Sequence, residues 1–210
     1  MLCTASLESS IPKWLQGSDR GWVSAEYGML PRSTHERMRR NKTQSSGRTQ
    51  EISRLVARSL RSCVDLYAMK DQQITVDCDV IQADGGTRTA AITGGFVALA
   101  QAASYMKEKG LVQKFPIKNF VAAISVGLLK EEVLLDLCYQ EDSAADTDSN
   151  FVINNQQGIV EIQGTAENGA FSKDQFSQML DIAIAGCENL HKMQKEALSS
   201  LNIEQWMNPA

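Results

Sequence analysis

The sequence predicts an α+β fold in which mixed β-sheets pack against α-helices in β-α-β-α order. Two neighbouring segments carry this prediction. In residues 74–80, apolar residues alternate with polar ones, which is the period of a half-buried strand. Residues 89–108 are rich in alanine, whose small side chain suits a helix packed closely on a sheet, and Gly110 ends that helix. Gly85 and Gly86 lie between the two segments and permit a tight turn.

The first part of the chain adds two strands and a helix. Strand character runs through residues 1–7 and again through residues 21–30, where a proline ends the second strand. Apolar residues three and four positions apart then predict one helix over residues 48–69. The serines and the glycine at 45–47 supply its cap region. Thr87 is likewise expected to cap the helix that follows the glycine turn.

The rest of the chain adds two hairpins and a final helix. The paired strands are expected at residues 120–126 with 133–139, and at residues 151–154 with 159–163. Ser172 and Gln175 have the spacing of a capping box, so the last helix is expected to begin there. The residues after Leu201 carry no clear structural signal.

Composition limits the classes of protein to which the chain can belong. A chain of 210 residues with 43% apolar residues suits one domain with a sizeable core, or at most two small domains. Its net charge of −4 does not point to nucleic acid, no apolar run is long enough to span a membrane, and no signal peptide is visible. Five scattered cysteines indicate free thiols in a reducing cytoplasm. With only His35 and His191, a histidine-based zinc site or a Ser-His-Asp triad is not expected.

An arginine follows a glycine turn at two predicted helix starts. Arg88 lies in the first turn after Gly86, and Arg48 directly follows Gly47. A helix start carries partial positive charge, so an added cation there indicates that an anion binds, and phosphate is the expected anion. If the two helix starts converge, backbone N–H groups and two guanidinium groups would form one oxyanion pocket. Each glycine turn could also be only a turn. The turn at Gly85 and Gly86 is not a Walker loop, because no Gly-Lys-Ser/Thr follows these glycines.

A basic segment separates the second strand from the first long helix. Its only acid is Glu36. Arginine and lysine bind backbone phosphates without reading sequence, so local basicity in an acidic chain favours contact with nucleic acid. A solvated loop fits the charge pattern equally well. The basic residues of this segment are Arg32, Arg37, Arg39, Arg40, Lys42 and Arg48.

An acidic segment follows the predicted strand at 133–139. Asp142 and Asp148 are two of the four acids within residues 140–150. Mg²⁺ binds oxygen ligands and commonly keeps several waters and a substrate phosphate, so these carboxylates indicate metal-dependent phosphoryl chemistry. An acidic solvent loop is the alternative. An EF-hand is excluded, because its ordered glycine and terminal glutamate are missing.

Four motifs occur in order over nearly the whole chain except its tail. They are AEYGMLPR at 25–32, GRTQEI at 47–52, CDVIQADGGTRT at 78–89 and EDSAADTD at 141–148. Each motif alone is weak, but the four together resemble the bacterial ribonuclease PH family. The resemblance implies a ribonuclease PH-type single domain over residues 1–200, followed by a tail at 201–210.

The resemblance also implies an activity. Members of this family are phosphorolytic 3′→5′ exoribonucleases, or nucleotidyltransferases, which trim the 3′ ends of transfer-RNA precursors and release nucleoside diphosphates. They use inorganic phosphate and Mg²⁺, and they assemble as a homo-hexameric ring, a trimer of dimers. The expected partners are therefore RNA 3′ ends, phosphate, Mg²⁺ and further copies of this chain, with no membrane.

Roles for individual residues follow from the matching positions of the motifs. The family's phosphate-binding positions match Arg48, Gly86, Thr87 and Arg88. Its catalytic carboxylate pair, which is also expected to hold the metal, matches Asp142 and Asp148. Its region that meets RNA and neighbouring subunits matches the loop with Arg32, Arg37, Arg39 and Arg40.

One departure from the family pattern concerns the start of the chain. The family has an opening segment with an arginine-rich motif and a first strand, whereas residues 2–6 match its second strand. We expect either that the true start lies upstream of Met1 or that this is a shortened form with an open sheet edge. The alternative function is a non-catalytic ring subunit that binds RNA or partners. A domain of polynucleotide phosphorylase is disfavoured, because the chain has no second copy and no appended RNA-binding module.

Overall fold

The first sheet has three strands. The computed structural model describes residues 1–40 and 46–207. The strands are β1 (Leu2–Glu8), β2 (Trp22–Met29) and β3 (Gln73–Val80). β3 lies in the centre, antiparallel to β1 and parallel to β2, and a short 3₁₀ helix (Lys13–Leu15) lies between β1 and β2. Every second residue of β3 is buried, as the alternating pattern predicts.

Two helices stand where the sequence predicts one helix over residues 48–69. α1 (Gly47–Ser62) ends at Cys63, whose ψ of 2° leaves the helical range. α2 (Leu66–Met69) then begins at Asp65, whose carboxylate accepts two hydrogen bonds from backbone N–H groups of that short helix. The prediction of one continuous helix is therefore wrong, because Asp65 caps a new helix instead of continuing the first.

The second sheet has four antiparallel strands in the order β5-β4-β6-β7. They are β4 (Val121–Leu129), β5 (Glu132–Leu135), β6 (Thr147–Asn154) and β7 (Ile159–Ala166). Both predicted hairpins are present, and the first turns through left-handed Lys130 and Glu131. Its second strand is shorter than predicted, because Asp136 takes a φ of 58° and turns the chain out of the sheet. A short helix, α4 (Tyr139–Ala144), follows.

The sheets and helices form four layers in the predicted order β-α-β-α. α1 and α3 (Thr87–Glu108) pack on the first sheet, and α3 also packs on β4. α5 (Lys173–Ala197) covers the second sheet, so β4 is buried along nearly its whole length. Gln194 of α5 ties these layers together, because its Nε2 donates to the carbonyl oxygens of Thr93 in α3 and Val121 in β4, both at 2.9 Å.

The last long helix begins at the predicted capping box. Ser172 Oγ accepts from the Gln175 N–H at 3.1 Å, and Gln175 Oε1 accepts from the Ser172 N–H at 2.7 Å. The C-terminal residues include α6 (Ile203–Met207), in which the Trp206 ring centre lies 5.4 Å from that of Phe115. Among the helices described, none combines the length and the apolar character that a membrane span requires.

Candidate active site

The turn between β3 and α3 presents an open helix start. Gly86 has a φ of 67° and is the N-cap of α3, a conformation that favours glycine. Thr87 is therefore the first helical residue, and the prediction that Thr87 caps the helix is wrong. Its Oγ1 instead lies 2.9 Å from the Oη of Tyr27 in β2. No side chain in the described part of the chain caps α3, so its first N–H groups can bind an anion.

The two helix starts that carry the paired arginines converge. Ser46 caps α1 as predicted, because its Oγ accepts a hydrogen bond from the Thr49 N–H at 3.1 Å. Arg88 reaches from the first turn of α3 to the N-terminal part of α1, where its Nη1 lies 3.7 Å from Glu51 Oε1. This ion pair holds the N-terminal end of α1, which carries Arg48, beside the N-terminal end of α3, which carries Arg88. A shared oxyanion pocket needs this geometry.

Arg88 has a second partner in the other sheet. Its Nη1 lies 3.4 Å from Gln163 Oε1 in β7, and its side chain is only 20% exposed. Glu51 and Gln163 thus hold the guanidinium between α1 and the second sheet. A side chain that is already ordered loses less conformational entropy when an anion binds to it.

A cavity of about 630 Å³ lies beside the start of α1. Tyr27 and Arg48 line this cavity, together with Arg37 and Arg39 from the basic segment. The structure therefore places Arg37 and Arg39 beside the same cavity as Arg48. Arg32 does not line the cavity, because its guanidinium donates to the carbonyl oxygens two and three residues further along its own loop.

The basic segment is held at its base against the glycine turn. The Ala83 N–H, three residues before Gly86, donates to the Ser33 carbonyl oxygen at 2.7 Å. Arg40 is exposed at the end of the described part of this segment. Lys42 of the basic segment and Ser45 of the predicted cap region lie outside the described residues.

The predicted carboxylates reach the same site from the second sheet. Asp142 lies in α4, and Asp148 lies in β6, so this segment is not an irregular acidic loop. Burial raises the pKa of Asp142, and the like charge of Asp148 raises it further, whereas Arg88 and Arg48 lower it. The two arginines and Asp148 therefore all lie within electrostatic range of Asp142.

The carboxylate pair suits a divalent cation that also binds substrate. Within residues 1–40 and 46–207, no group of three or more His, Cys, Asp or Glu side chains is arranged to hold a metal ion. The repulsion between Asp142 and Asp148 would be relieved by a cation bound to them. Mg²⁺ commonly binds one or two carboxylates and completes its shell with water and substrate phosphates, so the donor set fits Mg²⁺.

Tyr27 lies at the candidate site, although no local pattern in the sequence indicates a role for it there. Burial raises the pKa of Tyr27, while its hydrogen bond with Thr87 and the charges of Arg48 and Arg88 lower it. The alternating pattern of β2 indicates a buried tyrosine but not that its hydroxyl reaches a residue 60 positions away. Glu51 was missed as a partner of Arg88 because it, too, lies far away in sequence.

Both parts of the chain match family models. Residues 1–104 match domain 1 of the 3′ exoribonuclease family, and residues 119–186 match domain 2. The ribonuclease PH of Methylobacterium radiotolerans is 56% identical over 201 residues, which cover 95% of this chain and 85% of that protein. The ribonuclease PH of Bdellovibrio bacteriovorus is 53% identical over 201 residues, which cover 96% of this chain and 83% of that protein.

Two solved structures have a similar fold. The crystal structure of rice (Oryza sativa) Rrp46 has a TM-score of 0.75 at 17% identity, covering 94% of this chain and 82% of that one. The Archaeoglobus fulgidus exosome with RNA bound to the active site has a TM-score of 0.69 at 18% identity, covering 91% of this chain and 77% of that one. At these identities the similarity concerns the fold alone.

Proposed function

Because the chain belongs to the ribonuclease PH family, we propose that its arginine and aspartate side chains form the active centre of a phosphorolytic exoribonuclease. The chain is a phosphate-dependent 3′→5′ exoribonuclease, a nucleotidyltransferase that moves the terminal nucleotide of an RNA onto inorganic phosphate. One observation carries the assignment of its residues: Arg88 is held between Glu51 of α1 and Gln163 of β7, which places the arginine-bearing helix starts beside the sheet that contains Asp148.

In the proposed reaction, Arg48 and Arg88 bind the attacking phosphate. Their positive charges offset the repulsion between this dianion and the last phosphate of the RNA. The start of α3 at Gly86 and Thr87 presents backbone N–H groups to the same anion. An oxygen of the bound phosphate forms the new bond to phosphorus. The bond to the 3′ oxygen of the preceding nucleotide breaks, that oxygen takes a proton, and a nucleoside diphosphate leaves.

We propose that Asp142 and Asp148 are the catalytic carboxylates and the Mg²⁺ ligands. A bound Mg²⁺ would supply charge neutralisation at the transferring phosphoryl group. Asp142 is the carboxylate that we assign to proton transfer, because a raised pKa suits a group that accepts and returns a proton near neutral pH. Positioning of the two phosphates and stabilisation of the developing charge account for most of the rate acceleration.

The basic segment is proposed to guide the RNA. Arg37 and Arg39 line the same cavity as Arg48, so they are suitably placed to contact backbone phosphates near the 3′ end. Arg32 and Arg40 of the same loop are assigned to RNA or subunit contacts. The proposed substrates are transfer-RNA precursors and other RNAs with 3′ extensions.

We propose that the chain assembles as a homo-hexameric ring, a trimer of dimers, in the cytoplasm. Membership in the family supports the ring. The five cysteines are scattered along the sequence with no CxxC pair, which suits free thiols in a reducing compartment. Light scattering on the purified protein should give about six times the 23.1 kDa mass of one chain.

The function is tested by incubating the protein and Mg²⁺ with a transfer RNA that carries a 3′ extension. Inorganic phosphate is present in one reaction, and sulfate at equal ionic strength replaces it in the other. We expect nucleoside diphosphates only with phosphate. RNA binding without product in either reaction would support the scaffold alternative, and release of nucleoside monophosphates in both would show hydrolysis instead of phosphorolysis.

A further inference from the structure

One carboxylate oxygen joins the two halves of the active site. Asp84 Oδ1 accepts a hydrogen bond from the N–H of Gly85 at 2.9 Å and another from the N–H of Tyr139 at 2.6 Å. Gly85 belongs to the turn that leads into Arg88. Tyr139 is the first residue of α4, the helix that carries Asp142. Gly85 and Tyr139 are more than fifty residues apart in the sequence, so the chain itself does not fix the distance between their segments. The hydrogen bonds through Asp84 Oδ1 do.

The backbones of the two segments also pack directly on each other at this point. A Cβ atom on Gly85 would lie 1.9 Å from the carbonyl oxygen of Leu137, so only glycine permits the approach. Leu137 is buried, and its N–H donates to Ser125 Oγ in β4 at 3.2 Å. A Cβ atom on Gly86 would in turn lie 3.3 Å from the same Ser125 Oγ. The 137–139 segment is therefore a rigid support for the turn.

Asp84 itself is exposed, so its two hydrogen bonds do not serve to satisfy a buried carboxylate. Hydrogen bonds to the ionised form lower the pKa of Asp84, with the bond from Tyr139 the largest cause and the bond from Gly85 the next. The carboxylate is consequently ionised throughout the neutral range and remains a strong acceptor for both N–H groups.

We infer that Asp84 is a positioning residue that sets the distance between the phosphate-binding helix start at Arg88 and the carboxylate helix that carries Asp142. This inference rests on the proposed function. Reacting groups must be held close to their productive geometry, and a displacement of about 1 Å can cost about 10²-fold in rate. Asp84 acts through the two backbones that it joins and does not contact substrate.

The test compares Asp84→Ala with Asp84→Asn. The alanine variant removes the acceptor, and we expect kcat to fall by about 10-fold or more and the KM for phosphate to rise. The asparagine variant retains an acceptor oxygen at Oδ1 and should recover most of the activity. Equal losses in the two variants would assign the effect to charge and overturn the hydrogen-bond mechanism.

Asp65→Ala supplies a matched control. Asp65 also accepts two backbone N–H hydrogen bonds at a helix start, at α2, but it lies outside the site. Each alanine variant should lose some thermal stability, because each loses an acceptor for two backbone N–H groups. Only Asp84→Ala should change kcat and the KM for phosphate. Normal kinetics in Asp84→Ala would show a purely structural role and overturn the inference.

A double-mutant cycle with Arg88→Ala separates this inference from the proposed function. If Asp84 acts by placing Arg88 relative to Asp142, its removal should cost less in the Arg88→Ala background than in the wild type. Additive losses would overturn the positioning role. An inactive wild-type protein, by contrast, would refute the proposed function itself.

Discussion

Tyr27 Oη lies 2.9 Å from Thr87 Oγ1, and this contact joins the edge of the first sheet to the first residue of α3. The Tyr27 ring is buried, so the hydroxyl is held in place by the packing of β2. Thr87 is consequently held by its side-chain contact with Tyr27 as well as by its backbone position in α3. The start of α3 is therefore anchored on one side by the first sheet and on the other by the residues that hold Arg88.

Replacing Tyr27 by Phe should weaken phosphate binding with little effect on folding. The ring and its burial remain, and the net loss is one hydrogen bond, worth about 1 kcal/mol. We expect the KM for phosphate to rise several-fold while the thermal midpoint changes by a few degrees at most. Tyr67→Phe is the control, because Tyr67 is exposed and lies in α2. An unchanged KM in Tyr27→Phe would show that the contact does not position Thr87 for catalysis.

Replacing Arg48 or Arg88 by Ala should lower kcat/KM by about 10²-fold or more, because each removes a charge that offsets repulsion between two phosphates. The loss should appear in the rate of nucleoside diphosphate release at saturating RNA and varied phosphate.

Arg58→Ala is the matched control for the arginine variants. Arg58 also lies in α1 and forms an ion pair with Glu161 of β7, with Nη2 and Oε1 2.5 Å apart; the arginine side chain is 56% exposed and the glutamate side chain 15%. Its removal leaves the mostly buried Glu161 carboxylate without this partner, so some stability should be lost, but kcat/KM should fall far less than in the Arg48 and Arg88 variants. A full rate in both Arg48→Ala and Arg88→Ala would remove the phosphate-binding assignment.

Asp142→Asn should abolish activity yet slightly stabilise the protein without ligands. The native pKa of Asp142 is raised above its unfolded value, so its protonated form contributes stability that is present at low pH and is lost as pH rises through the native pKa. At pH 7 the ionised carboxylate therefore opposes folding, and asparagine removes that opposition. We expect the thermal midpoint of the variant to lie slightly above that of wild type at pH 7 and to approach it as the pH is lowered through the acidic range, which a series of melting curves against pH measures.

Asp148→Asn completes the test of the carboxylate pair. Removal of the Asp148 charge should bring the pKa of Asp142 down toward its ordinary value, because a like charge is one cause of the rise. If the variant keeps some activity, the acidic limb of its pH–rate profile should move to lower pH, because that limb follows the pKa of Asp142. Full activity in either Asn variant would exclude that aspartate from an essential role.

Gly85→Ala should disrupt the site, whereas Gly47→Ala should be tolerated. A Cβ at Gly85 would overlap the Leu137 carbonyl oxygen, so the turn must move away from its support. A Cβ at Gly47 meets no heavy atom within 4 Å, and alanine is the better helix former at the start of α1. We expect loss of most phosphorolysis in the first variant and unchanged phosphorolysis in the second. Activity of Gly85→Ala within a few-fold of wild type would contradict this account of the turn.

Local patterns in the sequence were sufficient for much of the fold. Alternation identified β3, the capping pair at Ser172 identified the start of α5, and helix periodicity identified α1. The predicted ends of strands and helices were wrong where the backbone conformation of a single residue ends the element. Asp136 takes a left-handed φ that neither its identity nor its neighbours signalled, and it ends β5 early. Cys63 similarly ends α1 without a glycine or proline to announce it.

The candidate site could be predicted in part for the same reason. The helix starts at Arg48 and Arg88 were visible as local patterns of glycine and arginine, and the structure shows that they converge. The partners that orient them were not visible, because Glu51, Gln163 and Tyr27 meet the site through packing between elements far apart in sequence. Periodicity indicates which face of an element is buried, but not which element covers it.

The proposed reaction centre takes its cationic side chains from the first matched family domain and its carboxylates from the second, and the α3-to-β4 connection at 109–120 lies between the elements that carry them. Severing the polypeptide in that connection would leave each fragment with half of the chemical apparatus. Neither fragment would turn over RNA alone, and turnover would return only when the two reunite. The two fragments could therefore serve as a split reporter. If each is fused to one of two proteins, enzyme activity would show whether those proteins associate.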